Sequence, residues 1–211
     1  MNLIEPQRWQ SLLHLLNSAT FDSAVLVKLV PLLADIFVFS YPILLLIWYI
    51  TGIIKKNQVL KSDALTIFSW AAYATIINIV LQSFLHKDRP IFAWDNSIHM
   101  ILTDLPTASF PSDHAAVSMV IWLAVTMIWY KNNHKWIKIL GLILIACSMI
   151  MSVSRVAVWV HWPTDIIAGW WVAITIVSLM SLDYVQFLQQ QYINKPIIKL
   201  QELIFTLLHI K

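Results

Sequence analysis

The chain has 211 residues, 59% of them hydrophobic and only 12% charged, with a mean hydropathy of +0.73. Soluble domains carry about 25% charged residues, so the composition argues against a soluble enzyme and for one polytopic membrane domain, residues 1–211. The net charge of +3 comes from loop lysines without a long basic run, which argues against a nucleic-acid partner.

The first ten residues carry Glu5, Pro6 and Arg8 with no short apolar core behind them. No cleavable signal peptide is expected, and the first span directs insertion. Residues 3–16 place Ile4, Trp9, Leu12, Leu13 and Leu16 at helical spacing. They predict a short amphipathic helix, either at the membrane interface or on the protein's own surface. Residues 36–54 run nineteen positions without a charge, enough to cross a bilayer. Pro42 inside them is tolerable in a membrane helix. Residues 25–34 either extend this span or form a separate embedded segment, so five or six spans are expected.

The second span is read at 64–85, the third at 112–130, the fourth at 136–154 and the fifth at 166–182. Trp48, Tyr49, Trp129, Tyr130, Trp136, Trp159 and Trp162 lie near span ends, the usual place of an aromatic belt. Residues 183–211 mix charge with Ile197, Leu200, Leu203, Ile204 and Leu207 at helical spacing, which predicts a second amphipathic surface helix. The fold class is all-α, a transmembrane helix bundle flanked by amphipathic helices. Cys147, the one cysteine, lies in an apolar run and allows no intramolecular disulfide.

Lys55, Lys56, Lys61, Lys131, Lys135 and Lys138 fall in the loops after spans one and three. By the positive-inside rule those loops are cytoplasmic. The loops after spans two and four then face outward. They carry HKDRP at 86–90, FPSDH at 110–114 and SRVAVWVHWPTD at 154–165. Three scattered polar stretches thus meet on one membrane face, because even numbers of crossings separate them. Ionisable residues at the rim of a span are expensive and usually functional.

The chemistry of that meeting is phosphate chemistry. Arg89 and Arg155 offer planar, permanently charged forks. Ser112 follows Pro111, opens a span and suits a helix N-cap, where free N–H groups favour an anion. His161 and Asp165 are four apart, so the carboxylate can hold one ring nitrogen and free the other as a nucleophile. Pro163 between them fits a first helical turn, or keeps His161 in the preceding loop. His114 is then the second histidine, donating a proton to the leaving oxygen. Asp113 and Ser154, which flank these groups, join Arg89, Arg155 and Ser112 as the candidate phosphate-binding set, although Asp113 also reads as a favourable charge in a first helical turn. His86, His99, His134 and His209 read as incidental. No compact ligand set for a metal stands out.

Arg89-Pro90, Pro111-Ser-Asp-His114 and the Ser154-Arg, five residues, His161, three residues, Asp165 pattern resemble the three signature motifs of the type-2 phosphatidic-acid phosphatase superfamily. These are integral membrane lipid phosphatases related in their core to vanadium haloperoxidases. The third motif is complete, and the second departs only at Asp113, where many members have glycine. The first normally begins with a lysine seven residues before the arginine, and here that position is Gln82. Either Lys87 compensates from a different place or the seat is less positive. The resemblance implies that His161 attacks phosphorus to form a phosphohistidine supported by Asp165. It implies that His114 protonates the leaving group, that Arg89, Arg155 and Ser112 hold phosphate oxygens, and that no metal or other cofactor is required.

Within the superfamily the PSDH variant, the small size and the N-terminal helix are most similar to the bacitracin-resistance group. That similarity implies hydrolysis of undecaprenyl diphosphate to the monophosphate at the outer face of a bacterial cytoplasmic membrane, recycling the carrier lipid of cell-wall synthesis. Phosphatidylglycerophosphate, phosphatidic acid and lipid A phosphates are the alternative substrates. A non-catalytic lipid transporter is the alternative of another class, and it has no need of the His and Asp pair.

Overall fold

The computed structural model describes residues 6–93, 108–132 and 135–208. The chain forms α1 (Gln7–Phe21), α2 (Leu26–Ile54), α3 (Gln58–Phe84), a single turn α4 (Pro90–Ala93), α5 (Asp113–Asn132), α6 (Lys135–Ala157), α7 (Pro163–Met180), α8 (Asp183–Gln189), a π-helical turn (Gln190–Asn194) and α9 (Lys195–Leu207). The expected all-helical class holds for the described residues. Helices α2, α3, α6 and α7 are long and apolar enough to cross a membrane, and α5 adds a shorter apolar run at Asp113–Ile128. Residues 26–34 extend the first span: α2 is one helix that runs through Pro31 and Pro42.

Helix α5 is the hub and packs against α2, α3, α6 and α7. Its Ala115, Ala116 and Ala124 are buried beside Met119, Val120, Ile121 and Val125. Small residues let backbones approach closely where lipid supplies no hydrophobic drive between helices. The outer helices turn Phe39, Ile43, Leu46, Ile139 and Leu142 outward, all exposed. An apolar surface of that extent has no place in water and suits lipid.

Local signals set the helix starts. Asn57 caps α3, its Oδ1 accepting from Val59 N at 2.9 Å and Leu60 N at 3.2 Å, as a short polar side chain does at an N-cap. Helix α7 opens with Pro163 after Trp162, and Asp165 Oδ2 accepts from Trp162 N at 2.9 Å. Pro163 therefore lies in the first turn, and His161 lies in the loop before it.

Helix α1 docks on the protein. Leu13 is fully buried against Val156, Trp159 and Trp162, and Asn17 Nδ2 donates to Ala157 O at 3.1 Å. The aromatic belt needs correction for the same reason. Trp159 and Trp162 are core residues under α1, and Trp48 is buried edge-on to Trp136 at 5.4 Å. Tyr130 and Trp136 remain exposed near helix ends. At the C-terminus α9 leaves Ile197, Leu200, Leu203, Ile204 and Leu207 exposed along its length, the stripe expected of a helix lying on a membrane. Buried Lys61 pairs with Glu202 of α9 at 2.8 Å, so Lys61 is an anchor for that helix and not a free loop charge.

Gly169 fixes how closely α7 meets the start of α5. A Cβ there would fall 2.6 Å from Ser112 O and 3.1 Å from Ala115 Cβ. The same contact carries a hydrogen bond from Ser112 N to Asp165 O of 3.1 Å. Gly169→Ala has to push α7 off a backbone carbonyl, and overpacking of this kind costs about 1–3 kcal/mol. The expected result is a lower melting temperature in detergent by circular dichroism, with phosphatase activity reduced beyond the loss of folded protein.

Candidate active site

The site lies at one end of the bundle, where α3 and α6 end and α5 and α7 begin. The third sequence motif is a hinge between α6 and α7. Arg155 occupies the last turn of α6, and its carbonyl accepts from Val160 N at 3.2 Å and His161 N at 3.3 Å. Trp159 turns the chain with φ at 62°, an uncommon conformation for a bulky side chain. Burial beneath α1 holds it there. The turn aims His161 back at Arg155.

His161 is almost fully buried. Its Nδ1 lies 3.0 Å from Ser109 O, and a carbonyl only accepts, so Nδ1 carries the proton. Nε2 then presents a lone pair, and it lies 3.3 Å from Arg89 Nη1 and 3.3 Å from Arg155 Nη2. Arg89 is held in turn by donating to Val160 O at 2.8 Å. Arg155 keeps a buried Nε without a partner on the edge it shares with Nη2. Two guanidiniums thus converge beside a basic ring nitrogen.

Burial, then Arg155, Arg89 and His114 in that order, pull the His161 imidazole well below its ordinary value. Burial likewise lowers the Arg89 guanidinium. The sign for catalysis follows. The folded pKa of His161 is depressed, so the neutral form is fully present at the ordinary histidine value of about 6.5 and is lost only as pH falls through the depressed one. The acidic limb of kcat/KM that reports this group is expected well below pH 6.5. Arg89→Gln removes one positive neighbour and moves that limb upward. A pH profile of kcat/KM for both proteins checks it.

The supporting groups differ from the simple His and Asp pair. Asp165 Oδ2 is 3.5 Å from His161 Nδ1, farther than Ser109 O. The carboxylate is engaged elsewhere: Oδ2 takes Trp162 N, and Oδ1 takes Lys87 Nζ at 2.9 Å. Lys87 also donates to Thr164 Oγ1 at 2.6 Å. It is therefore tied to the first turn of α7 and to the carboxylate beside His161. Gln82 Nε2 donates to Pro111 O at 2.9 Å and Asp113 Oδ2 at 3.2 Å, stapling α3 to the turn that opens α5. Asp113 is so placed as a partner of Gln82. Ser112 is fully buried at the head of α5, and Ser154 is buried one residue before Arg155.

His114 Nε2 lies 3.5 Å from Arg155 Nη1 and 3.1 Å from Asp35 Oδ1. Asp35 also pairs with Arg155 Nη1. Neither Asp35 nor Ser109 was among the sequence-derived site residues. The signal for Asp35 was present: a carboxylate within an apolar stretch long enough to span. Ser109 acts through its carbonyl, which leaves no mark in a sequence. His86 pairs at the surface with Asp88 at 3.1 Å; His99, His134 and His209 lie outside the described residues. Among the described residues no group of three His, Cys, Asp or Glu is placed to hold a metal ion.

A seat of two guanidiniums beside a neutral imidazole nitrogen, at the end of a membrane bundle, suits a phosphoryl group and the nucleophile that attacks it. The bundle is thus of the membrane phosphatase class. Comparison with known families gives that class its name: residues 63–188 match the PAP2 superfamily, and the chain belongs to it. The protein is a multi-pass membrane protein. It is similar to an undecaprenyl-diphosphatase of Sulfolobus acidocaldarius, 32% identical over 121 residues, which cover 56% of this chain and 55% of that protein. The match thus spans little more than half of that relative's length. It is also similar to the undecaprenyl-diphosphatase BcrC of Bacillus subtilis, 24% identical over 76% of each chain. Among solved structures it shares the fold of Aquifex aeolicus LpxE, with a TM-score of 0.68, 19% identity, and coverage of 85% of this chain and 98% of that one.

Proposed function

We propose that the protein hydrolyses undecaprenyl diphosphate to undecaprenyl phosphate and inorganic phosphate through a phosphohistidine, and so recycles a cell-wall carrier lipid. The observation that carries the mechanism is His161: Nδ1–H on the Ser109 carbonyl, the Nε2 lone pair turned toward Arg89 and Arg155. Nε2 attacks the terminal phosphorus, the P–N bond forms, and the P–O bond to the lipid phosphate breaks. His114 gives its proton to the departing oxygen and is left neutral. A water then attacks the phosphohistidine, loses its proton to His114, and releases phosphate with His161 restored. The arginines neutralise the charge on the equatorial oxygens throughout.

The choice of substrate is supported by the names of the two relatives above. The outward orientation is supported by the exposed Lys55, Lys56, Lys135 and Lys138 at the opposite end of the bundle. The test is phosphate release by detergent-purified protein with EDTA present, on undecaprenyl diphosphate and phosphatidylglycerophosphate side by side. Release from the prenyl diphosphate alone is the expected result. Release from the phosphatidyl monoester alone keeps the mechanism and moves the protein into phospholipid synthesis. Lipid binding without release from either identifies a carrier and overturns the proposal.

A further inference from the structure

The two site histidines are held in different ways, and the difference lies in charge. His161 Nδ1 rests on a neutral backbone carbonyl, that of Ser109. His114 Nε2 rests on a carboxylate, that of Asp35, at 3.1 Å. A carboxylate only accepts, so the proton lies on Nε2 of His114 and the other nitrogen, Nδ1, is left to exchange a proton with a leaving group. A carboxylate in direct hydrogen bond favours the imidazolium, whereas His161 donates to a carbonyl that carries no net charge, and its nearest carboxylate, Asp165 at 3.5 Å from Nδ1, is already paired with Lys87. We infer that Asp35 is a positioning residue that assigns the acid role to His114 and keeps that role from His161. The inference rests on the proposed reading of His114 as the proton donor.

Three further contacts fit this role. Asp35 Oδ1 is shared with Arg155 Nη1, so one carboxylate orients both the acid and an arginine. Holding Nη1 leaves the Nε and Nη2 edge of Arg155 for the substrate: Nε is buried and unpartnered, and Nη2 faces His161. The backbone beneath Asp35 is also fixed, because Ala34 is fully buried against Val158 and Val160 of the hinge that carries His161. Asp35 thus sits at the junction between α2 and the loop that carries His161, and a carboxylate within an apolar helix is costly without such partners.

The experiment compares two lipid-soluble substrates of matched chain length in detergent, an alkyl phosphate and a nitrophenyl phosphate. The alkoxide leaving group needs a proton and the nitrophenolate does not. In Asp35→Asn, kcat on the alkyl phosphate is expected to fall about 100-fold, while kcat on the nitrophenyl phosphate falls about tenfold less, the loss common to both being that of the Arg155 anchor. Asp35→Glu, which restores the charge, recovers part of the alkyl rate. His114→Ala run in parallel separates the two hypotheses. A split between substrates in His114→Ala but equal losses in Asp35→Asn overturns the role of Asp35 and leaves the acid reading standing. Equal losses in His114→Ala overturn the acid reading and this inference with it. A lower KM in Asp35→Asn with kcat unchanged on both substrates also overturns it, because Asp35 is then an internal competitor for the phosphate seat.

Discussion

His161→Ala is expected to reduce phosphate release from undecaprenyl diphosphate by about 10⁴-fold or more, the scale on which removal of a covalent nucleophile acts. The loss is chemical and not structural, for reasons visible around the ring. Arg89 keeps its bond to Val160 O, Arg155 keeps Asp35, and the hinge keeps its two backbone bonds to the Arg155 carbonyl. What is left unmatched is the Ser109 carbonyl, and its neighbours lose an imidazole that two guanidiniums already discouraged from charging. The variant therefore inserts, elutes as a single species in detergent and still binds the diphosphate. Rapid acid-free quenching with labelled substrate traps a phosphorylated protein in the wild type and none in the variant. Turnover within tenfold of wild type, which is about 1.4 kcal/mol of barrier, sinks the covalent mechanism.

The parts of this site that a reader of the sequence can see are those carried by side chains on helices of known length. Arg89, His114, Arg155 and His161 meet because a bilayer fixes how far each span travels, and even numbers of crossings return the chain to the same end. Ser109 was invisible because its contribution is a backbone oxygen. Asp35 stood in plain view as a carboxylate in an apolar helix, but its partner Arg155 is 120 residues away, and no periodicity links them. Position 82 shows the opposite failure. A family pattern directs attention to a missing lysine, and the nearby Lys87 looks like its replacement. What that pattern does not carry is the packing, which sends Lys87 to Asp165 and Gln82 to the Pro111–Asp113 turn. Trp159 and Trp162 turn inward for a related reason. Lipid is not the only apolar surface at the rim, because α1 returns to cover them.

Lys87→Met is expected to destabilise the protein by about 3–5 kcal/mol, the usual cost of leaving one member of a buried ion pair alone. Lys87 and Asp165 are 4% and 0% exposed at the side chain, so neither is hydrated when the other is removed. Asp165 also accepts from Trp162 N, so disturbing it frays the start of α7 next to His161. Methionine keeps most of the apolar stem that packs near the Phe110 and Trp162 rings, which confines the change to the charge. Adding Asp165→Asn removes the stranded carboxylate while retaining an oxygen for Trp162 N. The double variant is expected to recover most of the lost stability, a coupling that a double-mutant cycle measures directly. Catalysis is expected not to follow. In the proposed mechanism the ring becomes cationic when Nε2 of His161 bonds to phosphorus, and Asp165 at 3.5 Å from Nδ1 is then the anion that meets that charge. The double variant then has near-normal thermal stability but a kcat lowered by about 10–100-fold with KM little changed, the pattern of an interaction made in the transition state. Full recovery of both stability and kcat makes Asp165 an anchor for α7 alone. Failure to recover stability means that Lys87 acts through the rings and Thr164 more than through its ion pair.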